Sequence, residues 1–264
     1  MPELPEVETA RRSMMGAVVG KTIERCVVLR PIAVRTHTPR GLGRAVRGAT
    51  IEDVTRHGKS LWFMLGRWAL VFHYKLWGVV RFHPTVPNAD KKTSLLLVFT
   101  DGSALEFREL QLSTFHLIKA AGRAPLDSLG IEPLAPGTTF ETFRRALGTK
   151  GTIKDLLCDQ ERIAGIGNLW AHEILFRARI RPDRKVESLT SAEVRQLYRM
   201  TRETLRRAVE AGGEPGFQDV FGRTGRYRLA VYGAVGKPCP VCGTKIRGGR
   251  LHGRPTFFCP SCER

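Results

Sequence analysis

The chain opens Met1-Pro2-Glu3-Leu4-Pro5-Glu6-Val7-Glu8. A proline after the initiator favours removal of Met1, which leaves Pro2 with a free secondary α-amine. Such an amine titrates near about 8, far below a lysine, so it is substantially neutral at physiological pH. A neutral amine can attack the C1′ carbon of a deoxyribose and expel its base. The resulting iminium is an electron sink; it acidifies the C2′ proton and drives elimination of the 3′ phosphate, then the 5′ one. Glu3 is the candidate to protonate the sugar ring oxygen and then to shuttle protons. Taken alone, the same residues also fit a frayed terminus.

A second group lies at the other end. Cys239, Cys242, Cys259 and Cys262 form C-x2-C-x16-C-x2-C. Two such knuckles bring four thiolates onto one tetrahedral zinc, with the intervening chain as a hairpin. All four positions are protein, so the site is closed and structural, and metal binding supplies folding energy that the apolar-poor tail lacks. Cys26 and Cys158 sit in apolar surroundings and read as inert core thiols. The segment between the knuckles, Arg247 to Pro255, is basic and includes Arg254; it reads as a phosphate-contacting turn.

Between these ends, Gln160 to Ala171 carries Gly165-Ile166-Gly167-Asn168. The glycines permit a tight turn, and Asn168 takes an N-cap-like position on a helix whose exposed amides suit a phosphate. A plain helix–helix turn fits as well. Lys154, one helix earlier, either joins that cluster or is solvated.

Composition narrows the partner. The 264 residues hold 43 Lys and Arg against 25 acidic residues, a formal net charge of +18. That surplus repels itself and calls for a polyanion, for which nucleic acid fits best. A hydrophobic fraction of 42% suffices for real cores, which excludes disorder as the default. No apolar run approaches a membrane span or a secretory signal, so the chain reads as soluble and cytoplasmic, its cysteines metal ligands or buried thiols rather than disulfides.

The elements that must position these residues follow from periodicity. Leu4, Val7, Ala10 and Met14 recur at helical spacing, with Pro5 in a tolerant first turn. From about 23 to 120 the pattern is of short strands, among them 60–65, 69–74, 79–82 and 94–99, which suggests a sandwich or barrel. Residues 122–136 carry three prolines and read as a linker. Beyond them, 140–147, 153–159, 171–178 and 191–211 read as helices, the last with a Thr190–Glu193 capping box and a Gly212-Gly213 stop. Residues 216–228 read as a loop.

Together, Met1–Glu8, His57-Gly58-Lys59, Ile163–Asn168 and the four-cysteine ribbon with Arg254 resemble the formamidopyrimidine-DNA glycosylase and endonuclease VIII family, in the family's order and across nearly the whole chain. The resemblance implies an α+β multidomain fold: an N-terminal helix plus β-sandwich over 1–121, a helix–two-turn–helix domain over 136–228 and a zinc ribbon over 229–264. It implies a base-excision-repair enzyme, a glycosylase with β,δ-lyase activity, acting as a monomer on damaged DNA with no small-molecule cofactor, in the cytoplasm and on the nucleoid of a bacterium. By matching position, Pro2 is the nucleophile, Glu3 the general acid, Glu6 an organiser of the site, and Lys59, His73, Asn168 and Arg254 the grip on the flanking phosphates. Without it, Lys59 reads as an exposed lysine and His73 as a core histidine.

The resemblance divides on substrate. The opening motif is similar to the formamidopyrimidine branch, which fills the void left by an everted base with a Met and an Arg–Phe pair. Here the corresponding segments are His73-Tyr-Lys75-Leu76-Trp77-Gly and Glu109-Leu-Gln-Leu-Ser-Thr-Phe115. The first is similar to endonuclease VIII, and the 212–228 loop is short for covering 8-oxoguanine. These features favour oxidised pyrimidines, with Lys75, Leu76 and Trp77 filling the void; in strand-core terms Leu76 and Trp77 are simply buried. The alternatives are an enzyme preferring 8-oxoguanine or formamidopyrimidine, a non-catalytic zinc-ribbon protein that binds lesions, and an RNA-binding translation factor.

Overall fold

The computed structural model describes residues 1–120 and 128–264. They form two compact units, Met1–Asp127 with Gly212–Arg226, and Ser128–Ala211 with Tyr227–Arg264.

The first unit begins with α1 (Leu4–Val18), whose Leu4, Val7, Ala10 and Met14 are buried as the 3.6-residue period requires. Eight strands follow: β1 (Ile23–Val28), β2 (Asp53–His57), β3 (Ser60–Leu65), β4 (Trp68–His73), β5 (Trp77–His83), β6 (Thr93–Phe99), β7 (Ala104–Gln111) and β8 (Thr114–Lys119). They make two antiparallel sheets, ordered β1-β6-β7-β5 and β2-β3-β4-β8. Phe107 of the first sheet meets Phe72 and Phe115 of the second with ring centroids 4.9 Å apart in each case, so the inner faces share an aromatic core.

One helix of this unit has no strong sequence signal. The helix α2 (Pro39–Val46) contains Gly41 and Gly43, poor helix formers, yet it starts on a Thr38 cap and a proline in its first turn. At Gly43 a Cβ would lie 3.2 Å from the Cys26 carbonyl oxygen, so the glycine permits close packing on β1. Beneath it Cys26 is half-buried, and burial pushes its thiol up to about 12.

The second unit holds α3 (Phe140–Leu147), α4 (Ile153–Cys158), α5 (Asn168–Ala178), α6 (Ser191–Glu210) and the hairpin β9 (Arg247–Leu251) and β10 (Arg254–Phe258). The Thr190–Glu193 capping box is present. Helix α5 starts at Asn168, three residues earlier than periodicity indicates, and fully buried Trp170 extends its packing face.

Two segments differ from the boundaries read in the sequence. Residues 122–127 of the proline-bearing linker lie outside the described residues, but 128–136 is docked: Gly130 donates to the Gln160 carbonyl at 2.8 Å, and Ile131 bridges Ile163. Prolines fix φ without preventing such backbone pairing. Residues 212–226, expected with the helical domain, pack in the first unit, where the Glu214 amide donates to Glu6 Oε1 at 3.0 Å. Among the described residues, no helix is long and apolar enough to cross a membrane.

Candidate functional site

In the first unit the chemistry centres on the start of α1. Glu3 is the N-cap and only 2% exposed; its carboxylate accepts from the Glu6 amide, while Glu6 Oε2 accepts from the Glu3 amide at 3.0 Å. Reciprocal capping satisfies two orphan amides and fixes both carboxylates beside the positive end of the helix. Glu6 reaches across to Glu214 as well. Gly213 (φ +89°) makes that possible, since a Cβ there would sit 3.0 Å from Glu6 Oε1. Pro2 is buried with Met1 attached, and in that form its nitrogen is an amide with no free lone pair.

Glu8, one turn on, accepts from Arg11 and Arg12 on its own helix and from Arg56 of β2 at 3.2 Å. Burial pushes this carboxyl up, but the hydrogen bonds from Arg11 and Arg12 and the charges of Arg11 and Arg56 outweigh it and hold the group at about 2. Arg56 also donates to the Gly58 carbonyl at 2.9 Å, which tethers the Gly58-Lys59 turn to the early turns of α1. Lys59 is 8% exposed, so it is not an ordinary surface lysine.

His73 closes β4 opposite Ser60 and Thr114. Burial, then the charges of Lys75 and Lys59, lower its pKa to about 4. Its Nδ1 accepts from the Lys75 amide at 2.9 Å, so the ring proton sits on Nε2 and a neutral donor remains. Lys75 turns the chain with φ +53°, and Leu76 and Trp77 emerge 52% and 45% exposed; they are not strand core. A residue that the sequence reading missed joins them: Leu112, 64% exposed on the β7–β8 turn. The two turns are held together by Ser113 Oγ, which donates to the Tyr74 and Trp77 carbonyls, and by Trp77 Nε1 on Glu109. Phe115, by contrast, is fully buried.

In the second unit, Gln160 shapes the turn between α4 and α5. Its Nε2 donates to the Cys158 and Ile166 carbonyls and its Oε1 accepts from the Gly165 amide. The N-cap of α5 is Gly167, with Asn168 the first helical residue, so the anticipated cap shifts by one. Asn168 Nδ2 donates to the Pro255 carbonyl at 3.2 Å, next to Arg254, which is exposed at the start of β10. Lys154 is neither solvated nor at the surface. It is 0% exposed, and its Nζ donates to the same Pro255 carbonyl at 2.8 Å and to Thr256 Oγ1 at 2.7 Å. Behind Asn168, buried His172 contacts the Asn168 carbonyl through Nδ1, and burial lowers its pKa to about 4.

The four ribbon cysteines converge, with all sulfurs within 4.8 Å of one another, Cys239–Cys262 at 3.8 Å and Cys242–Cys259 at 3.5 Å. A tetrahedron with Zn–S bonds of about 2.3 Å has edges of about 3.8 Å, so the donor set fits zinc. The Val241 amide donates to Cys239 Sγ at 3.4 Å, as suits a thiolate.

Comparison with known proteins matches three family profiles along the chain: the formamidopyrimidine-DNA glycosylase N-terminal domain over residues 1–113, its H2TH domain over 129–218, and a zinc finger found in FPG and IleRS over 236–264. The ribbon therefore holds one structural zinc ion. A formamidopyrimidine-DNA glycosylase of Geobacillus kaustophilus is 38% identical over 274 residues, covering all of both chains. One of Symbiobacterium thermophilum is 39% identical, covering all of this chain and 89% of its own. Among solved structures, Lactococcus lactis Fpg in complex with abasic-site DNA superposes with a TM-score of 0.91 at 30% identity, covering 99% of each chain. The same protein with DNA containing an oxidised pyrimidine gives 0.91 at 31%, covering 100% of each.

Proposed function

The chain belongs to the formamidopyrimidine-DNA glycosylase family, a family of base-excision-repair DNA glycosylases with lyase activity, and from that premise we propose that Pro2, freed of Met1, is its nucleophile toward oxidised bases. The observation that carries this reading is the buried carboxylate pair at the head of α1, with Glu3 and Glu6 locked to each other and Glu6 to the Glu214 amide.

The Pro2 lone pair forms a bond to C1′, the glycosidic bond breaks, and the base leaves with that electron pair and a proton. Glu3 gives a proton to the ring oxygen, the sugar opens, and an iminium remains on Pro2. Loss of the C2′ proton then expels the 3′ phosphate, and a second elimination expels the 5′ phosphate. Glu6 holds Glu3 in place. Lys59 and the Nε2–H of His73 grip phosphates on the first unit; Asn168 and Arg254 do so on the second, with Lys154 behind them.

Leu76, Trp77 and Leu112 form an exposed apolar group that suits wedging into the gap of an everted base, with Lys75 beside them. The 213–226 segment folds on itself: Gly225 donates to the Phe217 carbonyl, and a Cβ on it would meet the Glu214 carbonyl oxygen at 2.4 Å. A segment so closed offers little to cover a purine. Both features support oxidised pyrimidines as preferred substrates. The names of the relatives favour the second reading, a preference for formamidopyrimidines. We place the protein as a monomer in a bacterial cytoplasm, on damaged DNA.

Borohydride trapping tests the chemistry. Processed protein should crosslink to abasic-site duplex, and protein with a residue added before Pro2 should not. Undiminished trapping by the extended form rules out the Pro2 mechanism. Single-turnover rates on duplexes carrying thymine glycol, dihydrouracil, 8-oxoguanine or a formamidopyrimidine decide the substrate; faster purine excision overturns the pyrimidine reading.

A further inference from the structure

The long helix α6 has two faces. Val194, Leu197, Leu205 and Ala208 are buried, and the helix packs on α5. Arg195, Arg199, Arg202 and Arg206, spaced four, three and four residues apart, form one stripe outside that packing face. With α3 this stripe lines a groove of about 980 Å³. Its floor is aromatic: the Arg195 guanidinium lies 4.2 Å over the Phe140 ring, and Phe140 meets Tyr198 edge-on at 5.9 Å.

The arginines are not equivalent. Arg202 is turned inward onto the carbonyls of Pro133, Ala135 and Thr138. Arg207, on the rim, is paired with Glu203. Arg199 donates to the neutral Gln196 side chain, and among the described residues neither it nor Arg206 has an acidic partner. Besides Arg195, whose guanidinium is stacked on Phe140, two cations are thus left beside an aromatic floor.

Uniform polyanions suit this place poorly. Glu203 and Glu210 also line the groove, and a phosphate strand cannot space its charges to avoid them. A peptide can, setting carboxylates on Arg199 and Arg206 and an apolar side chain on Phe140. The phosphate-gripping candidates of this unit lie elsewhere, at the start of α5 and on β10. We propose that the α3–α6 groove docks an acidic peptide segment of a partner protein, one carrying a bulky apolar side chain among its carboxylates. This inference does not rest on the glycosylase reading.

Fluorescence anisotropy of a labelled peptide of aspartates around one phenylalanine, titrated with the full-length zinc-bound protein, reads the docking. The Arg199→Glu/Arg206→Glu variant should weaken binding by about tenfold or more. The charge-matched Arg40→Glu/Arg44→Glu variant, on the solvent face of α2, should change it less than about twofold, because a general effect of net charge would move both equally. Replacing the peptide's phenylalanine with alanine should also weaken binding to wild type. Nicking of abasic-site duplex should stay near wild type in both variants; if the double Glu variant misfolds, Arg199→Gln/Arg206→Gln takes its place. Equal losses in the two charge variants, no saturable peptide binding, indifference to the phenylalanine, or selective loss of single-stranded oligonucleotide binding instead each overturn the proposal.

Discussion

Lys154→Met separates two roles for the buried lysine. The ammonium makes two charge-assisted hydrogen bonds, to the Pro255 carbonyl and Thr256 Oγ1, worth about 1.5–3 kcal/mol each. Against this stands the cost of keeping an ammonium out of water, several kcal/mol, and burial does lower its pKa. Methionine fills the same volume and removes both effects. The Pro255 carbonyl keeps Asn168 Nδ2, whereas buried Thr256 Oγ1 loses its donor and keeps only its own bond to the Arg254 carbonyl. The net loss should be about 1–3 kcal/mol, confined to docking of the β9–β10 hairpin on α4. Hydrogen exchange at the β10 amides should then accelerate by about ten- to a hundredfold. If the lysine acts only through β10, the slope of log Kd against log salt on an abasic-analogue duplex should stay near wild type, whereas Arg254→Ala should reduce it by about one. A Lys154→Met slope reduced by about one, with β10 exchange unchanged, would refute this and make Lys154 a phosphate ligand.

Three further outcomes follow from the same geometry. Glu8 is held at about 2 from an ordinary 4.5, so its pairing stabilises the fold fully above pH 4.5 and is lost as pH falls toward 2. Glu8→Gln should cost roughly 3 kcal/mol at pH 7 by urea unfolding and close to nothing near pH 2; a pH-independent difference contradicts the assignment. The His73 ring should titrate at about 4 by NMR, leaving stability that declines as pH drops from 6.5, where the unfolded ring takes its proton, toward 4; a value of 6 or above would restore a cationic phosphate contact. Chelation should release one zinc per chain, unfold the ribbon and abolish duplex binding, with both restored by zinc; tight binding by fully zinc-free protein would show that the ribbon is dispensable.

What sequence reveals here depends on how far a residue must look for its partners. The cysteine spacing encodes its own geometry, and the apolar period of α1 encodes a buried face, so both are read directly. Lys154 carries no such mark: its burial arises from Pro255 and Thr256, a hundred positions away. Leu112 is hidden by alternation, which puts it on the same face as buried Leu110. Positive φ at Glu109 (+51°) and Leu112 (+59°) breaks the period and sends it outward. The run of short strands set apart by turn residues was legible as a sandwich or barrel, whereas α2, built on two glycines and a proline, was not.

The return of residues 212–226 to the first unit carries a cost in time. Strand β8 ends at Lys119, yet Glu6 meets its Glu214 amide only after roughly a hundred more residues have been translated. At about 5–20 residues per second, the nascent sandwich waits on the order of ten seconds for that second contact. Its last piece arrives only once α6 has left the ribosome, so the unit is completed late in synthesis, and severing the gene after β8 would strand it unfinished.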